Sequence, residues 1–306
     1  MTDKSTHKPN LRSLVRRDGL VYLPGVWDGM SARIAERAGY EAIFSSGMAI
    51  AASLGMPDAD IYTMSENLDA VRRVREASRL PLLADIDHGY GGPLNVIRTV
   101  RLFEAAGTQG MIIEDQATPK RCPVCVDDPV PLVGIELAAA RVRAAAEARE
   151  RPETIIVART DAAGDDALRR AEAYAKAGAD FIFPVSKTFS TIEEWEACHR
   201  ASGLPLLACL TSGTWVERQF DEATMRQIGV QLALLPFQAL YAGIYAMQEA
   251  LRRMREGEPP AAVSDAYLGH AKFKDFIDFA EIMATERKYS VPSGAGPAAL
   301  FTEEEK

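Results

Sequence analysis

The scarcities of this sequence narrow it first. Four cysteines in 306 residues do not make a disulfide framework, because such frameworks belong to short, cysteine-dense chains. A reducing, cytoplasmic setting is the expectation. Positive charge is in deficit: 35 Lys and Arg face 43 Asp and Glu, for a net charge of −8. A general grip on nucleic acid or on an anionic membrane is therefore not expected. A local basic pocket for a small anionic substrate stays compatible with that balance. No apolar run approaches the ~20 residues of a spanning helix. The opening MTDKSTHKPN lacks the apolar core of a secretory signal. No glycine-rich dinucleotide fingerprint follows the first apolar run, and GYGG at 89–92 is not followed by the Gly-Lys-Ser/Thr of a phosphate loop.

What is present is a globular composition, 47% hydrophobic and 25% charged, of a length that suits one large domain or two modest ones. A weak repeat organises it. AGYEAIF (38–44), AGTQGMII (106–113), AGADFIF (177–183) and IGVQLALL (228–235) share one grammar: a helix-like segment, a glycine, then an apolar run. A glycine just past a helix supplies the left-handed cap, and the apolar run begins a strand.

Apolar runs fall near 20–24, 41–45, 81–85, 110–114, 154–159, 180–185, 204–209 and 231–235, and helix-compatible stretches lie between them. About eight strands alternating with about eight helices predict a (β/α)8 TIM-type barrel. Strands that are continuously apolar suit a sheet buried on both faces. The barrel is expected over residues 1–256. GEPP (257–260) then breaks the chain before a helical extension and tail, 257–306. Phe273, Phe276, Ile277 and Ile282 sit there at helical spacing, an apolar face that needs a partner surface, on the barrel or on a neighbouring subunit.

In such a barrel the C-terminal ends of the strands form the active face. The second run ends in Ser45-Ser46-Gly47, the third in Asp85-Ile86-Asp87-His88, the fourth in Glu114-Asp115-Gln116 and the fifth in Arg159-Thr160-Asp161; the sixth leads to Ser186-Lys187. Several carboxylates on one rim stay ionised only where a cation offsets them. Asp85, Asp87 and Glu114 are therefore candidates to hold a hard divalent ion, Mg²⁺ rather than Ca²⁺. Arg159 suits bidentate recognition of a carboxylate or phosphonate. Ser45, Ser46 and Gly47 can offer hydroxyl and N–H donors to an anion. His88 can orient an acid, contact substrate, ligate Zn²⁺ or make a plain hydrogen bond.

The connection 115–134 is long and carries four prolines, which is the profile of a lid. Cys122 and Cys125 form a lone C-x-x-C within it; a zinc site would need another pair of ligands. With Lys120 and Arg121 alongside, the Cys122 thiolate is expected to be favoured, and the residue to serve as acid, base or nucleophile.

At this point a resemblance becomes specific. LPGVWDGMSARIAERAGYEAIFSSG, the D-x-D-x-G-Y-G stretch at 85–91, IEDQ at 113–116, PKRC at 119–122 and IVARTDA at 156–162, in that order, resemble the isocitrate lyase / phosphoenolpyruvate mutase superfamily. The resemblance runs from about residue 10 to 256. It implies a Mg²⁺-dependent barrel in which the ion and an arginine stabilise the enolate of a 2-oxo acid while a neighbouring C–C or P–C bond breaks or forms. It further implies that Asp85, Asp87 and Glu114 serve the metal, and that Ser45, Ser46 and Gly47 hold the substrate carboxylate. Asp58 would stand in the metal or substrate shell, Arg159 would bind an oxyanion or carboxylate, and Cys122 would exchange a proton with the enolate carbon.

Departures from the family pattern bear on the subfamily. Cys122-Pro123-Val124 replaces the lyases' Cys-Gly-His, Ile113 replaces their His and Val185 their Glu, which argues against a tricarboxylate substrate. Asp87-His88-Gly89-Tyr90-Gly91 resembles oxaloacetate decarboxylases; Ser186-Lys187 resembles the phosphonopyruvate branch, from which Gln116 departs. The expectation is a carbon–carbon lyase or decarboxylase of a small 2-oxo or 2-hydroxy dicarboxylate. The alternatives are a phosphonopyruvate-type mutase or hydrolase, and an inactive barrel scaffold. The resemblance also implies a homotetramer with the C-terminal helix exchanged between subunits.

Overall fold

The computed structural model describes residues 10–17, 19–185, 187–219 and 221–290. Expected sites at Ser186 and in the tail beyond 290 lie outside the described residues. Two compact units divide the chain, one running to Tyr241 and one from Ala242. The boundary falls inside the helix Gln238–Arg255, ahead of the break expected at GEPP.

The first unit is a closed barrel of eight parallel strands in sequence order. They are β1 (Val21–Val26), β2 (Ile43–Ser45), β3 (Leu82–Asp85), β4 (Gly110–Glu114), β5 (Ile155–Thr160), β6 (Phe181–Pro184), β7 (Leu206–Cys209) and β8 (Val230–Leu235). Each matches one apolar run of the sequence. The repeat glycines do what the pattern requires: Gly39, Gly107, Gly178 and Gly229 have φ of +86°, +94°, +97° and +82°. A side chain there would be strained, so glycine is the residue that lets each helix turn back into a strand. Helix starts are written locally as well. Asp28 with Ser31, Thr63 with Glu66 and Thr191 with Glu194 form reciprocal capping boxes, which satisfy otherwise orphaned N–H groups.

Strand side chains alternate between two cores. Leu82, Ala84 and Ile86 belong to the layer between strands and helices. Leu83, Ile112, Val157, Phe181, Leu207 and Leu232 fill the barrel interior. Two residues further along, the same inward row reaches the C-terminal mouth. It ends in Asp85 on β3, Glu114 on β4 and Arg159 on β5. Period-two alternation thus decides that these three face the lumen, while Asp115 and Thr160 face the helices.

The sequence reading did not foresee several short helices. Leu11–Val15 buries Leu11 and Leu14 with the interior residues, and Leu11 Cδ2 lies 3.0 Å from where a Gly110 Cβ would stand. That helix closes the N-terminal end of the barrel. Gly47–Ser53 follows β2 directly, so Ser46 is an N-cap as well as a rim residue.

In the second unit, the expected helical extension holds two separate helices, His270–Phe276 and Phe279–Tyr289. Asp278 between them has φ +56°, a left-handed residue that ends one helix and redirects the chain. Arg253 ties the turn after the long helix, donating to Glu258 at 2.7 Å and to the Ala262 carbonyl at 3.1 Å. Among the described residues no helix is long and apolar enough to cross a membrane.

Candidate active site

A cavity opens at the C-terminal mouth, lined by the polar Ser46, Asp58, Asp85, Arg159 and Thr211, by Cys122 and Cys209, and otherwise by apolar residues. The loop after β4 forms part of its wall, since Cys122, Pro123 and Val124 all line it. The Cys122 amide donates to the Asp58 carbonyl at 3.1 Å, and an isolated bridge pairs Gln116 with Leu132 across the loop's base. Residues 122–124 of the 115–134 connection thus stand at the mouth.

The acids are held by cations of the chain itself. Lys120 Nζ lies 2.5 Å from Asp87 Oδ1 and 2.7 Å from Asp58 Oδ1. The Tyr62 and Tyr90 hydroxyls each donate to Asp87 Oδ2 at 2.8 Å, and the Asp87 amide donates to Asp85 Oδ1 at 3.0 Å. Burial alone would push the Asp87 carboxyl up; Lys120 and the tyrosines outweigh it and hold Asp87 below the usual range. Asp85 lacks such cover. Burial, and then the charge of Asp87, raise it to about 6. Glu114 is raised well above its ordinary value by burial, against the pull of Arg159. Lys120, opposed by burial, is nonetheless held protonated by Asp87, Glu114 and Asp58.

Arg159 is both an ion-pair partner and a cavity wall. Its Nε and Nη2 donate to the two carboxylate oxygens of Asp161, each at 2.9 Å. Its Nη1 lies 2.8 Å from Glu114 Oε2. The guanidinium also stands 5.8 Å from the Phe183 ring centroid. A fixed, permanently charged plane at the cavity is suited to a carboxylate or a developing oxyanion. Asp115, from the same IEDQ stretch, faces away. It accepts from Thr160, Tyr174 and Arg170, and so fastens β4 and β5 to the helix Gly164–Lys176.

Several expectations are corrected by the geometry. The Cys122 thiolate is not favoured: burial, then the nearby Asp58, raise its pKa, and Lys120 turns to the acids instead. Cys122 is a protonated thiol facing the cavity, with its Sγ 3.8 Å from Met48 Sδ. His88 does not line the cavity. It is buried beside Tyr90, with Nδ1 3.9 Å from Asp60 Oδ1, and burial lowers its pKa, so it is a neutral packing partner of the mouth. Lys187 donates to the Val126 carbonyl at 3.0 Å and lines an adjacent cavity with Arg218 and Trp215. Ser45 and Gly47 stand behind the wall: the Ser45 hydroxyl is buried without a partner. A Cβ on Gly47 would come within 2.7 Å of the Tyr62 hydroxyl and 3.1 Å of Asp85 Oδ2, so glycine lets the helix after β2 start close against the acids.

The donor chemistry fits a hard divalent cation. Glu114 Oε1 is buried with no hydrogen-bond partner, and for Asp85 the pull of Lys120 and Arg159 does not offset burial and the charge of Asp87. Among the described residues, however, no three acidic, His or Cys side chains form a metal cage as they stand. Lys120 occupies one side of Asp87, and Arg159 one side of Glu114. Asp85, Asp87 and Glu114 would hold such an ion together with waters and substrate oxygens.

Lys120, Tyr62 and Tyr90 were not foreseen as site residues. Tyr90 stands in a strained stretch, with Asp87 and Tyr90 at φ +50° and +59°, and Asp60 nearby at +63°; Tyr62 carries no such mark. Such conformations concentrate at functional sites.

The family described as phosphoenolpyruvate phosphomutase matches residues 11–255. The chain belongs to this family. Within the wider isocitrate lyase / phosphoenolpyruvate mutase superfamily, it is 35% identical over 274 residues to the 2-methylisocitrate lyase of Aeropyrum pernix, covering 88% of this chain and 86% of that one. It is 35% identical over 266 residues to the oxaloacetate decarboxylase of Bradyrhizobium diazoefficiens, covering 84% and 88%. A phosphonopyruvate hydrolase solved with oxalate and Mg²⁺ superposes with a TM-score of 0.80 at 29% identity, covering 91% of this chain and 97% of that one. The superfamily membership inferred from the sequence motifs is thus established.

Proposed function

We propose that this protein is a carbon–carbon lyase or decarboxylase acting on a small 2-oxo or 2-hydroxy dicarboxylate. The observation that carries the reading is the pairing, across one cavity, of the Arg159 guanidinium with a protonated Cys122 thiol. The first can neutralise an oxyanion; the second can give a proton to carbon. Relatives named 2-methylisocitrate lyase and oxaloacetate decarboxylase support this class.

For a 2-hydroxy dicarboxylate, the cavity carboxylate of Asp58 takes the hydroxyl proton as the C2–C3 bond breaks. The oxygen's electron pair becomes the carbonyl of the 2-oxo acid product. The pair of the broken bond passes to C3 as a carboxylate-stabilised carbanion, which the Cys122 thiol protonates. The proton held by the carboxylate then returns to the thiolate, and no water is consumed. For a 2-oxo dicarboxylate the bond that breaks is instead the one between C3 and the C4 carboxylate: CO₂ leaves, the electron pair passes to C3 as the enolate of the 2-oxo group, the Cys122 thiol protonates C3, and solvent returns a proton to the thiolate. A divalent cation held by Asp85, Asp87 and Glu114 would add charge stabilisation at the 2-oxygen and C1 carboxylate. Ser46, at the start of its helix, and Arg159 orient the acid.

The phosphonate alternative is supported by the likeness to phosphonopyruvate hydrolase. Against it, Gln116 is buried and accepts from the Arg121 amide at 2.8 Å, a neutral group where that branch has a lysine.

A product-release screen separates the two. Oxaloacetate, substituted malates, 2-methylisocitrate and phosphonopyruvate would be supplied with Mg²⁺, and pyruvate and phosphate measured. Oxo-acid release from the diacids without phosphate release from phosphonopyruvate is expected. Phosphate release alone would replace the lyase reading by the phosphonate one.

A further inference from the structure

The chemistry above uses Cys122 of the loop's C-x-x-C and leaves Cys125 without a task. The pair is not half of a zinc site: among the described residues, no third His, Cys, Asp or Glu joins it in a group that could hold a metal. Its geometry is that of a closed turn. The Cys125 amide donates to the Cys122 carbonyl at 2.9 Å, so the two cysteines stand at the ends of one four-residue turn. Pro123, second in that turn, sets the φ it requires. Such a turn keeps its end Cα atoms within about 7 Å, a span that a disulfide can close. The two thiols differ in access. Cys122 is buried in the cavity wall, with Sγ 3.8 Å from Met48 Sδ. Cys125 is exposed and stands outside that wall.

We propose that Cys122 and Cys125 form a peroxide-sensitive dithiol, which closes to a disulfide and so withdraws the proton donor from the cavity. The bridge rests on the turn alone; its effect on turnover rests on the lyase reading above. The exposed Cys125 reacts first. Its thiolate attacks one oxygen of hydrogen peroxide, the O–O bond breaks, and the departing hydroxide takes a proton and leaves as water. The Cys122 sulfur then attacks the Cys125 sulfenic acid. The S–S bond forms, the S–O bond breaks, and hydroxide leaves with the Cys122 proton as a second water. The two sulfurs have together given two electrons to the peroxide. To meet Cys125, the Cys122 sulfur turns away from Met48, and it keeps no proton to give to carbon. A dithiol reductant reverses the change by two exchanges, returning two electrons and two protons. Disulfides that form in reducing compartments are characteristically of this transient, sensing kind. Closure also spares the sulfenic acid from irreversible oxidation.

The test treats the full-length protein with hydrogen peroxide, alkylates the remaining thiols after unfolding, and maps the peptides by mass spectrometry. A peptide two hydrogens lighter, with Cys122 joined to Cys125 and with Cys198 and Cys209 alkylated, is expected. Turnover of the best diacid of the product screen should fall by about 100-fold or more in the bridged protein, the usual worth of a placed general acid, and return with dithiothreitol. Cys125→Ser should keep the untreated activity and resist a peroxide dose that silences the wild type. A merely structural Cys125 would not confer that resistance. Cys122 and Cys125 unbridged after peroxide, or a bridge to Cys198 or Cys209 instead, overturns the dithiol. A bridge that leaves turnover unchanged, or Cys125→Ser inactivated as fast as the wild type, overturns its control of catalysis. A reversible bridge in a protein that turns over no diacid overturns the lyase reading alone.

Discussion

Lys120 Nζ sits 2.5 Å from Asp87 Oδ1, joining the loop after β4 to the end of β3. The same ammonium reaches Asp58, so one internal cation offsets a cluster of buried acids and ties down the loop that covers them. Removing one partner of a buried ion pair typically costs about 3–5 kcal/mol. Lys120→Met should therefore lower the melting temperature of the metal-free protein by several degrees, and added Mg²⁺ should raise it more than in the wild type. Calorimetric melts with and without the ion check this. An unchanged melting temperature would mean that the ammonium does not stabilise the site.

Arg159→Lys keeps the charge but loses the fork that grips both oxygens of Asp161. A point charge on a flexible stem cannot hold the same plane against Phe183 and the cavity. A fall in kcat/KM of about 100-fold is expected. Steady-state kinetics on the best diacid of the product screen measure it, and a loss below about threefold would remove Arg159 from the chemistry.

Cys122 and the exposed Cys125 should separate in an alkylation experiment. Burial raises the Cys122 thiol, so its reactive thiolate is scarce at neutral pH. Iodoacetamide at pH 7.5, followed by peptide mass spectrometry, should label Cys125 well before Cys122. Faster labelling of Cys122 would show a thiolate, and with it a nucleophile rather than a proton donor. Cys122→Ser should lose most turnover of a substituted malate, since a serine hydroxyl is a far weaker acid.

Asp85 predicts a pH dependence. Burial and the charge of Asp87 raise its folded-state pKa to about 6, above the ordinary aspartate value, so the folded protein binds this proton more tightly than the unfolded chain. The stability it contributes is fully present below about pH 4 and is lost as the pH rises through about 6. Asp85→Asn should flatten that part of the stability curve and melt higher than the wild type at pH 8 without metal, while losing activity. A wild-type curve with no decline attributable to Asp85 between pH 4 and 7, judged against Asp85→Asn, would place the group in a more polar setting than its burial implies.

We propose that the protein assembles as a homotetramer through its C-terminal helices. Tyr245, Met247 and Leu251 of one helix and Phe279, Ile282 and Met283 of another are exposed apolar residues, more than scattered surface positions account for. Truncation after Glu258 should reduce the particle mass in light scattering. An unchanged mass would exclude the exchanged-helix arrangement.

Much of this protein is determined by its sequence alone. The repeat glycines, the capping boxes and the eight apolar runs are local signals, each set by the conformations its own residues allow. They sufficed for the barrel, for the strand ends that carry Asp85, Glu114 and Arg159, and for the family. The roles at the mouth were decided only by the tertiary structure. A thiol next to Lys120 in sequence reads as activated, yet the ammonium spends its charge on Asp58 and Asp87, which a chain order cannot show. His88 reads as a site residue beside two acids, but the left-handed turn at Asp87 directs it away from the cavity. Charge pairing and burial depend on which groups meet across the closed barrel, and those meetings join residues tens of positions apart.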